Sequence, residues 1–232
     1  KISFIAENDF ANVLTEYSYC LNKHSKDIKA KSICVRPHPF NYDIQHDYDL
    51  HFCSDSQKQE AKQFLEESDV IIFGEEGHPL EPTYRALREF SNLLGLDLIN
   101  SNKKLCIWHA GTHYRQNYQF YNNHPQRNKI HKHLYAFDLY RLSNKTDVDL
   151  PFLVYNYIDF NKEQLINNFK NKLEIDKKII CHIPSNPSIK GTDTINKSMV
   201  DLPSNLSFFT TTNIPHAEAI KYKSKSLFYI DQ

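Results

Sequence analysis

The chain has 232 residues and a formal net charge of zero, because 28 basic side chains balance 28 acidic ones. Hydrophobic residues make up 40% of the chain and charged residues 24%, which is typical of a globular protein. No overall charge attracts nucleic acid or an anionic membrane surface, and no apolar run is long enough to cross a bilayer. The length is sufficient for one large domain or two modest ones.

The five cysteines form no C-x-x-C pair, and their number is odd. Several of them lie in apolar runs that are typical of buried strands. This pattern indicates free thiols in a reducing compartment, so we expect a cytoplasmic protein. The cysteines are Cys20, Cys34, Cys53, Cys106 and Cys181.

Apolar runs that predict strands alternate with amphipathic stretches that predict helices over the first 155 residues. The predicted strands are Lys1–Ala6, Ala30–Val35, Ser68–Gly74 and Lys104–Gly111. The predicted helices are Phe10–Leu21, Ser56–Glu67 and Glu81–Leu94. The stretch Leu134–Leu142 is predicted as a strand or an irregular edge. The alternation indicates a parallel sheet covered by helices, so the predicted fold class is α/β.

A second alternating set begins with a predicted helix, Phe160–Leu173, and continues with three predicted strands: Lys177–Ile183, Leu206–Thr212 and Leu227–Asp231. We therefore predict an N-terminal domain over 1–155, a linker helix over 156–175 and a second domain over 176–232. A doubly wound parallel sheet usually has about five or six strands. We expect this second domain to be incomplete in the chain, and any activity that needs the complete domain to be weak or absent in residues 1–232 alone.

The stretch Ile179–Asp193, with the sequence IICHIPSNPSIKGTD, combines a short apolar strand, a polar loop with two prolines and a predicted helix start. Thr192 or Asp193 is a candidate helix cap. A strand, a loop and a helix N-terminus in this order can bind phosphate, because free backbone N–H groups and the helix dipole face the anion. Lys190 adds a positive charge, and Gly191 lets the backbone approach a ligand. The alternative is an ordinary strand–loop–helix unit without a ligand.

The segment HIPSNPSIKGT resembles the H-x-P-[ST]-N-x-x-x-K-G-T segment of glycosyltransferase-4-like enzymes, a branch of the GT-B glycosyltransferases. The resemblance extends to Asn213–Ala219 and Ser226–Gln232, which are similar to the next helix and strand of that branch. It implies two Rossmann-like doubly wound domains, the second incomplete here. The implied continuation beyond Gln232 is a glycine-rich turn and a pair of glutamates that grip the donor.

The resemblance implies an enzyme that moves a sugar from a nucleotide-sugar to an acceptor hydroxyl, with retention at the anomeric carbon. The implied acceptor is a glycan, a lipid-linked molecule or a small molecule. No cofactor other than the nucleotide-sugar is implied, and no metal, because the lysine and the helix dipole balance the phosphate charge. The implied donor-phosphate residues are Ser185, Asn186, Lys190, Gly191 and Thr192.

His109 follows a buried-type strand in Trp108–Arg115, which is similar to an H-x-G-[ST]-x-Y-R segment of the same branch. At the carboxyl end of a strand its ring can enter an interdomain cleft and position or activate an acceptor hydroxyl, since a histidine pKa lies near neutrality. His109 is therefore the predicted catalytic residue. The alternative is a structural histidine. The neighbouring Gly111, Thr112 and Arg115 are predicted sugar or acceptor contacts.

Two further loops carry predicted acceptor or sugar contacts. Asn8 and Asp9 follow the first predicted strand, although Asp9 is equally well explained as a helix cap. Arg36 and His38 belong to a proline-bearing loop, 36–42, at the end of the second predicted strand. The histidines of this region do not follow a zinc-ligand spacing, so no metal site is predicted.

Two other groups of charged residues are weaker candidates for a functional site than His109. Glu75 and Glu76 follow a predicted strand and could do acid–base work, but exposed glutamates are common. The basic stretch Lys221–Lys225 is best explained as the solvated face of a helix. Two functions other than glycosyl transfer stay open: a non-catalytic module that binds a nucleotide-sugar or a glycan, and a nucleotide-sugar epimerase on the same fold.

Overall fold

The computed structural model describes residues 1–36, 40, 42, 44–74, 83–109, 111–135, 137–143, 148–149, 171 and 178–230. The chain divides into two compact units. The first consists of residues 1–38 and 44–155, and the second of residues 39–43 and 156–232. The linker helix predicted over 156–175 lies outside the described residues, apart from residue 171.

The described part of the first unit contains a seven-stranded sheet in which every neighbouring pair of strands is parallel. The order across the sheet is β3-β2-β1-β4-β5-β6-β7. The chain builds outward from β1 on one side and then from β4 on the other, which is a doubly wound arrangement. The predicted α/β class with a parallel sheet is confirmed. The strands are β1 (Ile2–Ala6), β2 (Ala30–Cys34), β3 (Tyr48–Asp49), β4 (Val70–Gly74), β5 (Lys104–His109), β6 (Lys132–Tyr135) and β7 (Val148–Asp149).

Four α-helices and three short 3₁₀ turns connect these strands within the described residues. No helix there is both long and apolar enough to cross a membrane. The helices are α1 (Val13–His24), α2 (Asp55–Glu66), α3 (Arg85–Leu94) and α4 (Gly111–Asn122), and the 3₁₀ turns are Phe10–Asn12, Arg127–Lys129 and Phe137–Leu142.

The core of the first unit lies on both faces of its central strands. Ile5 of β1, Phe73 of β4 and Ile107 of β5 are register partners on one face, and Phe4 of β1 and Trp108 of β5 lie on the other face. All five are at most 3% exposed. Strands covered on both faces need apolar residues at successive positions, which explains the continuous apolar runs in the sequence.

Several predicted elements of the first unit have different bounds in the structure, and two of the differences involve 3₁₀ turns. Helix α1 begins at Val13 rather than at Phe10, because Ala11 and Asn12 have left-handed backbones with φ of 50° and 61°. A 3₁₀ turn therefore precedes the helix. The predicted stretch Leu134–Leu142 is also divided: its first residues end β6, and a 3₁₀ turn follows from Phe137.

The second unit has a three-stranded parallel sheet in its described part, in the order β10-β8-β9. Its small core is formed by Cys181, Ile183 and Ala219, against which Phe209 and Tyr222 pack. The three predicted strands of this region are present, each shorter than predicted. The elements are β8 (Lys178–His182), α5 (Thr192–Ser198), β9 (Leu206–Thr210), α6 (His216–Lys225) and β10 (Phe228–Tyr229).

Candidate functional site

A pocket of about 150 Å³ lies within the second unit, at the carboxyl end of its parallel sheet. Ser185 lines it from the loop after β8, Asn213 from the loop after β9, and Tyr229 from the end of β10. Ligands of open α/β sheets bind outside the carboxyl ends of the strands, so this is the expected edge for a site. We call it the second-unit pocket.

Two cations line the second-unit pocket. Lys190 belongs to the loop between β8 and α5, as predicted, and Lys223 extends from α6. The Lys223 ammonium lies 4.2 Å from the centre of the Tyr229 ring, which is a cation–π contact. The stretch around Lys223 was predicted to be a solvated helix face, but this residue lines the pocket instead. Two lysines in a small concavity favour an anionic ligand.

Aromatic side chains form another part of the wall. Phe40 and Tyr42 belong to the second unit although they precede β3 in the sequence. The backbone N–H of His216, at the start of α6, donates to the Phe40 carbonyl at 2.7 Å. The Tyr42 and His216 rings lie 4.6 Å apart between centroids. The sequence singled out loop 36–42 as a contact region, but it gave no sign that these rings join the later part of the chain.

The loop before α5 is held by its own hydrogen bonds. Asn186 accepts the Lys190 backbone N–H at 3.0 Å, and its side-chain oxygen accepts the Ser188 hydroxyl at 2.7 Å. The Thr192 backbone N–H donates to the Pro187 carbonyl at 3.1 Å. The predicted use of this N–H as a phosphate donor is therefore corrected, because a carbonyl of the same loop already accepts it.

Gly191 is the N-cap of α5, with a left-handed backbone at φ 60°. A residue with a Cβ is strained in this region, so the glycine lets the chain turn into the helix. Neither Thr192 nor Asp193 caps α5 as predicted. The Thr192 hydroxyl instead lies 2.9 Å from Nε2 of His182, a residue that is fully buried.

His182 ties this loop to the sheet. Its Nδ1 lies 2.8 Å from the Ile230 carbonyl, which can only accept, so Nδ1 carries the proton and donates. In the neutral ring Nε2 then accepts from the Thr192 hydroxyl. The histidine of the motif thus fixes the start of α5 against the end of β10. It was part of the quoted motif but was not among the predicted site residues.

His109 occupies a different setting from the one predicted. Its side chain is 1% exposed and lies among the rings of Tyr114, Tyr121 and Tyr135, at centroid distances of 4.5, 5.3 and 4.9 Å. Burial holds the pKa of His109 well below its ordinary value, and the nearby His133 and Arg127 lower it further. The ring points into the first unit's core because three tyrosines pack around it. We therefore do not place His109 among the groups that touch a substrate.

At the carboxyl end of β1, Glu7 forms an ion-pair cluster that the sequence did not reveal. Arg85 contacts both oxygens of the buried Glu7 carboxylate. Its Nε lies 2.8 Å from Oε2, and a terminal nitrogen donates to Oε1 at 3.0 Å. Arg36, a predicted acceptor contact, lies 3.7 Å from the same carboxylate and is 60% exposed. Arg36 is thus accessible at the ligand-binding edge of the first sheet.

The other predicted contacts of the first unit differ in accessibility. Asn8 is half-buried, and Arg115 is exposed on α4. Gly111 begins α4 with φ 74°, and a Cβ there would meet nothing within 4 Å, so the backbone conformation explains the glycine. His38 lies outside the described residues, as do Glu75 and Glu76, and only the backbone of Thr112 is described.

The Asp9 side chain caps helix α1, although Asp9 precedes the 3₁₀ turn that comes before the helix. Its carboxylate accepts the backbone N–H groups of Leu14 and Thr15 at 2.9 and 2.8 Å, and also the Thr15 hydroxyl at 2.8 Å. The residue is 2% exposed. The structure therefore supports the cap explanation, and the predicted sugar contact is corrected because helix α1 and Thr15 already engage both oxygens.

Asp9 makes stability depend on pH. Burial raises its pKa from 3.8 to about 6, against the lowering effect of its hydrogen bonds. The folded protein therefore binds more protons than the unfolded chain between about pH 4 and 6, and the free energy of unfolding falls as pH rises through that range. Between pH 4.5 and 7 we expect the contribution of Asp9 to the free energy of unfolding to fall by about 2 kcal/mol.

Urea unfolding of the first unit, followed by the fluorescence of the buried Trp108, measures this effect. Asp9→Asn is the matched variant because it has no ionisable group at this position. The wild-type free energy of unfolding minus that of the variant should fall by about 2 kcal/mol between pH 4.5 and 7. A difference that stays constant across this range would contradict the assignment.

Among the described residues, no group of three or more histidine, cysteine or acidic side chains could hold a metal ion. The five cysteines are all free thiols.

A comparison with models of known protein families finds no match, and a comparison with curated proteins finds none either.

Proposed function

We propose that this protein is a cytoplasmic glycosyltransferase of the GT-B type, which moves a sugar from a nucleotide-sugar donor to an acceptor hydroxyl with retention. One observation carries the proposal. Lys190 and Ser185 of the segment that resembles the donor-binding motif line one pocket at the carboxyl end of a parallel sheet. Lys223 and aromatic rings complete this pocket.

The chemistry of the second-unit pocket suits a nucleoside diphosphate. Departure of the sugar leaves negative charge on the diphosphate, and ammonium groups that line the pocket stabilise that charge as it develops. The Phe40, Tyr42 and Tyr229 rings offer apolar faces on which a planar base or a sugar ring can pack. A volume of about 150 Å³ holds only part of such a donor, so the rest of the ligand extends beyond it.

A binding module without catalytic activity is the second candidate. The burial of His109 favours it, because the side chain predicted to act on the acceptor is enclosed by tyrosines. Such a module would use Lys190 and Lys223 in the same way to hold a nucleotide-sugar. The two candidates therefore share a binding site and differ only in turnover.

Turnover of donor separates the two functions. The protein is incubated with UDP- and GDP-sugars, with and without a mixture of sugar acceptors, and the free UDP or GDP is quantified by mass spectrometry. A glycosyltransferase releases nucleoside diphosphate in a protein-dependent way, and Lys190→Ala should reduce the release at least tenfold, since a hydrogen bond to a charged group contributes about 1.5–3 kcal/mol. Nucleotide-sugar binding without any release would establish the binding module instead.

A further inference from the structure

Two neighbouring strand ends of the first unit carry polar side chains with unused hydrogen-bond donors. Asn8 follows β1, and Arg36 follows β2, which is the parallel neighbour of β1. The Arg36 backbone N–H donates to the Glu7 carbonyl at 3.0 Å, so the two loops run side by side beyond the strands. This is the carboxyl edge of the sheet, where ligands of open α/β sheets bind. We call Arg36 and Asn8 together the Arg36 site.

The charge of Arg36 is not needed to balance the buried Glu7 carboxylate. Arg85 already contacts both carboxylate oxygens, at 2.8 and 3.0 Å. The Arg36 terminal nitrogen lies 3.7 Å from Oε1 of Glu7, which is beyond hydrogen-bond distance. Glu7 therefore attracts the Arg36 guanidinium without using any of its N–H groups. One carboxylate beside two guanidinium groups leaves one positive charge of this cluster unbalanced.

The backbone of Arg36 is held on both sides of its Cα. Its N–H donates to Glu7, and its carbonyl accepts the Cys34 thiol at 3.1 Å. Burial raises the pKa of that thiol to about 12, so the sulfur keeps its proton at neutral pH and can donate. The Arg36 side chain itself is 60% exposed. A held main chain thus presents an accessible guanidinium at the end of β2.

Both side chains of the Arg36 site are available to a ligand. Within the described part of the chain, neither the Arg36 guanidinium nor the half-buried Asn8 amide makes a hydrogen bond. A guanidinium presents five N–H groups in a fork that matches the oxygens of a carboxylate or a phosphate. An amide donates and accepts, which suits a hydroxyl group next to such an anion.

We propose that the Arg36 site binds a sugar acid or a sugar phosphate, with the anionic group on Arg36 and a hydroxyl on Asn8. Under the glycosyl transfer proposed above, this molecule is the acceptor. That assignment rests on the proposed function, whereas binding of the anionic sugar does not.

NMR titration of ¹⁵N-labelled protein with glucuronate, glucose 6-phosphate and glucose, at constant ionic strength, tests the proposal. The reporters are the Nε–H of Arg36 and the side-chain NH₂ of Asn8, so binding in the second-unit pocket does not contribute. An anionic sugar should shift both signals, and glucose at the same concentration should shift neither, because it offers no charge to the guanidinium. The anion that binds more tightly gives the class of the ligand, carboxylate or phosphate.

Variants identify the group that binds the anion. Arg36→Gln should weaken binding about fivefold or more, measured at the Asn8 amide, since an exposed charge-assisted bond is lost. Arg36→Lys keeps the charge but not the fork, so its affinity should lie between those of wild type and Arg36→Gln. The substitutions keep both backbone bonds of Arg36, so the fold is retained. Arg141→Gln is the matched control, because Arg141 is exposed in the 3₁₀ turn Phe137–Leu142, away from β1 and β2 in the sequence.

Three results would overturn the Arg36 site: no shift of either reporter with both anions, equal shifts with glucose, or equal loss of affinity in Arg36→Gln and Arg141→Gln. A failure of UDP and GDP to bind would contradict the donor site in the second-unit pocket but would leave the shifts at Arg36 and Asn8 unchanged. The two proposals therefore fail separately.

Discussion

Replacing His182 by alanine should lower the free energy of unfolding of the second unit by about 3–5 kcal/mol, from the cost of a buried cavity and of unsatisfied polar groups. The side chain is fully buried in the structure. Its removal leaves the Ile230 carbonyl and the Thr192 hydroxyl without their imidazole partners. Hydrogen exchange at the amides of Leu227 and Ile230, which bond β8 carbonyls at 2.8 and 2.9 Å, measures the loss.

Two conservative variants divide this effect between the ring nitrogens of His182. Asparagine places an amide near the position of Nδ1 and can keep the bond to Ile230, whereas glutamine reaches the position of Nε2 and can keep the bond to Thr192. The free energy of unfolding of each variant should be about 1 kcal/mol higher than that of His182→Ala. His24→Ala, at an exposed position on α1, should change little. Unchanged protection of the Leu227 and Ile230 amides from hydrogen exchange in His182→Ala would contradict this account. It would show that the bonds of His182 to Ile230 and Thr192 do not hold the loop before α5.

Much of the fold follows from the apolar pattern. After its first residue, β5 is buried at every position, because this parallel strand is covered on both faces. The run Ile179–Cys181 is apolar as well, although Ile179 is 37% exposed. Those runs predicted the parallel sheets and the strand positions. They could not predict helix starts such as that of α1, because the left-handed backbones of Ala11 and Asn12 leave no apolar signal.

The candidate site was predicted less completely. Lys190 was identified from the strand, loop and helix start of one continuous segment, and Ser185 from the resemblance of that segment to the donor-binding motif. Phe40 and Lys223 come from distant parts of the chain, and only tertiary packing brings them to the same pocket. A single sequence carries no signal for such pairings.

The burial of His109 also could not be predicted from the sequence. The end of β5 was a reasonable place for a catalytic side chain, because strand ends line ligand sites. Its surroundings are set by Tyr114 and Tyr121 on α4 and by Tyr135 on β6. Their packing decides whether the ring faces solvent or core, and the local pattern around His109 does not contain that information.

Lys190→Ala should weaken nucleoside diphosphate binding by about 10- to 150-fold, since a hydrogen bond to a charged group contributes about 1.5–3 kcal/mol. Lys190 lines the second-unit pocket, and a hydrogen bond from its backbone N–H to Asn186 holds the backbone from which the side chain extends. The substitution removes the charge but keeps the backbone bond. The fold should therefore stay intact, with unchanged exchange protection at Leu227 and Ile230.

Calorimetric titration of wild type and Lys190→Ala with UDP and GDP tests the central claim most directly. Lys197→Ala is the matched control, since Lys197 is exposed on α5 and does not line the pocket. We expect wild type and Lys197→Ala to bind one of the two nucleotides with equal affinity, and Lys190→Ala to bind it at least tenfold more weakly. Equal affinity of all three proteins, or no binding of either nucleotide to wild type, would contradict a donor site in the second-unit pocket.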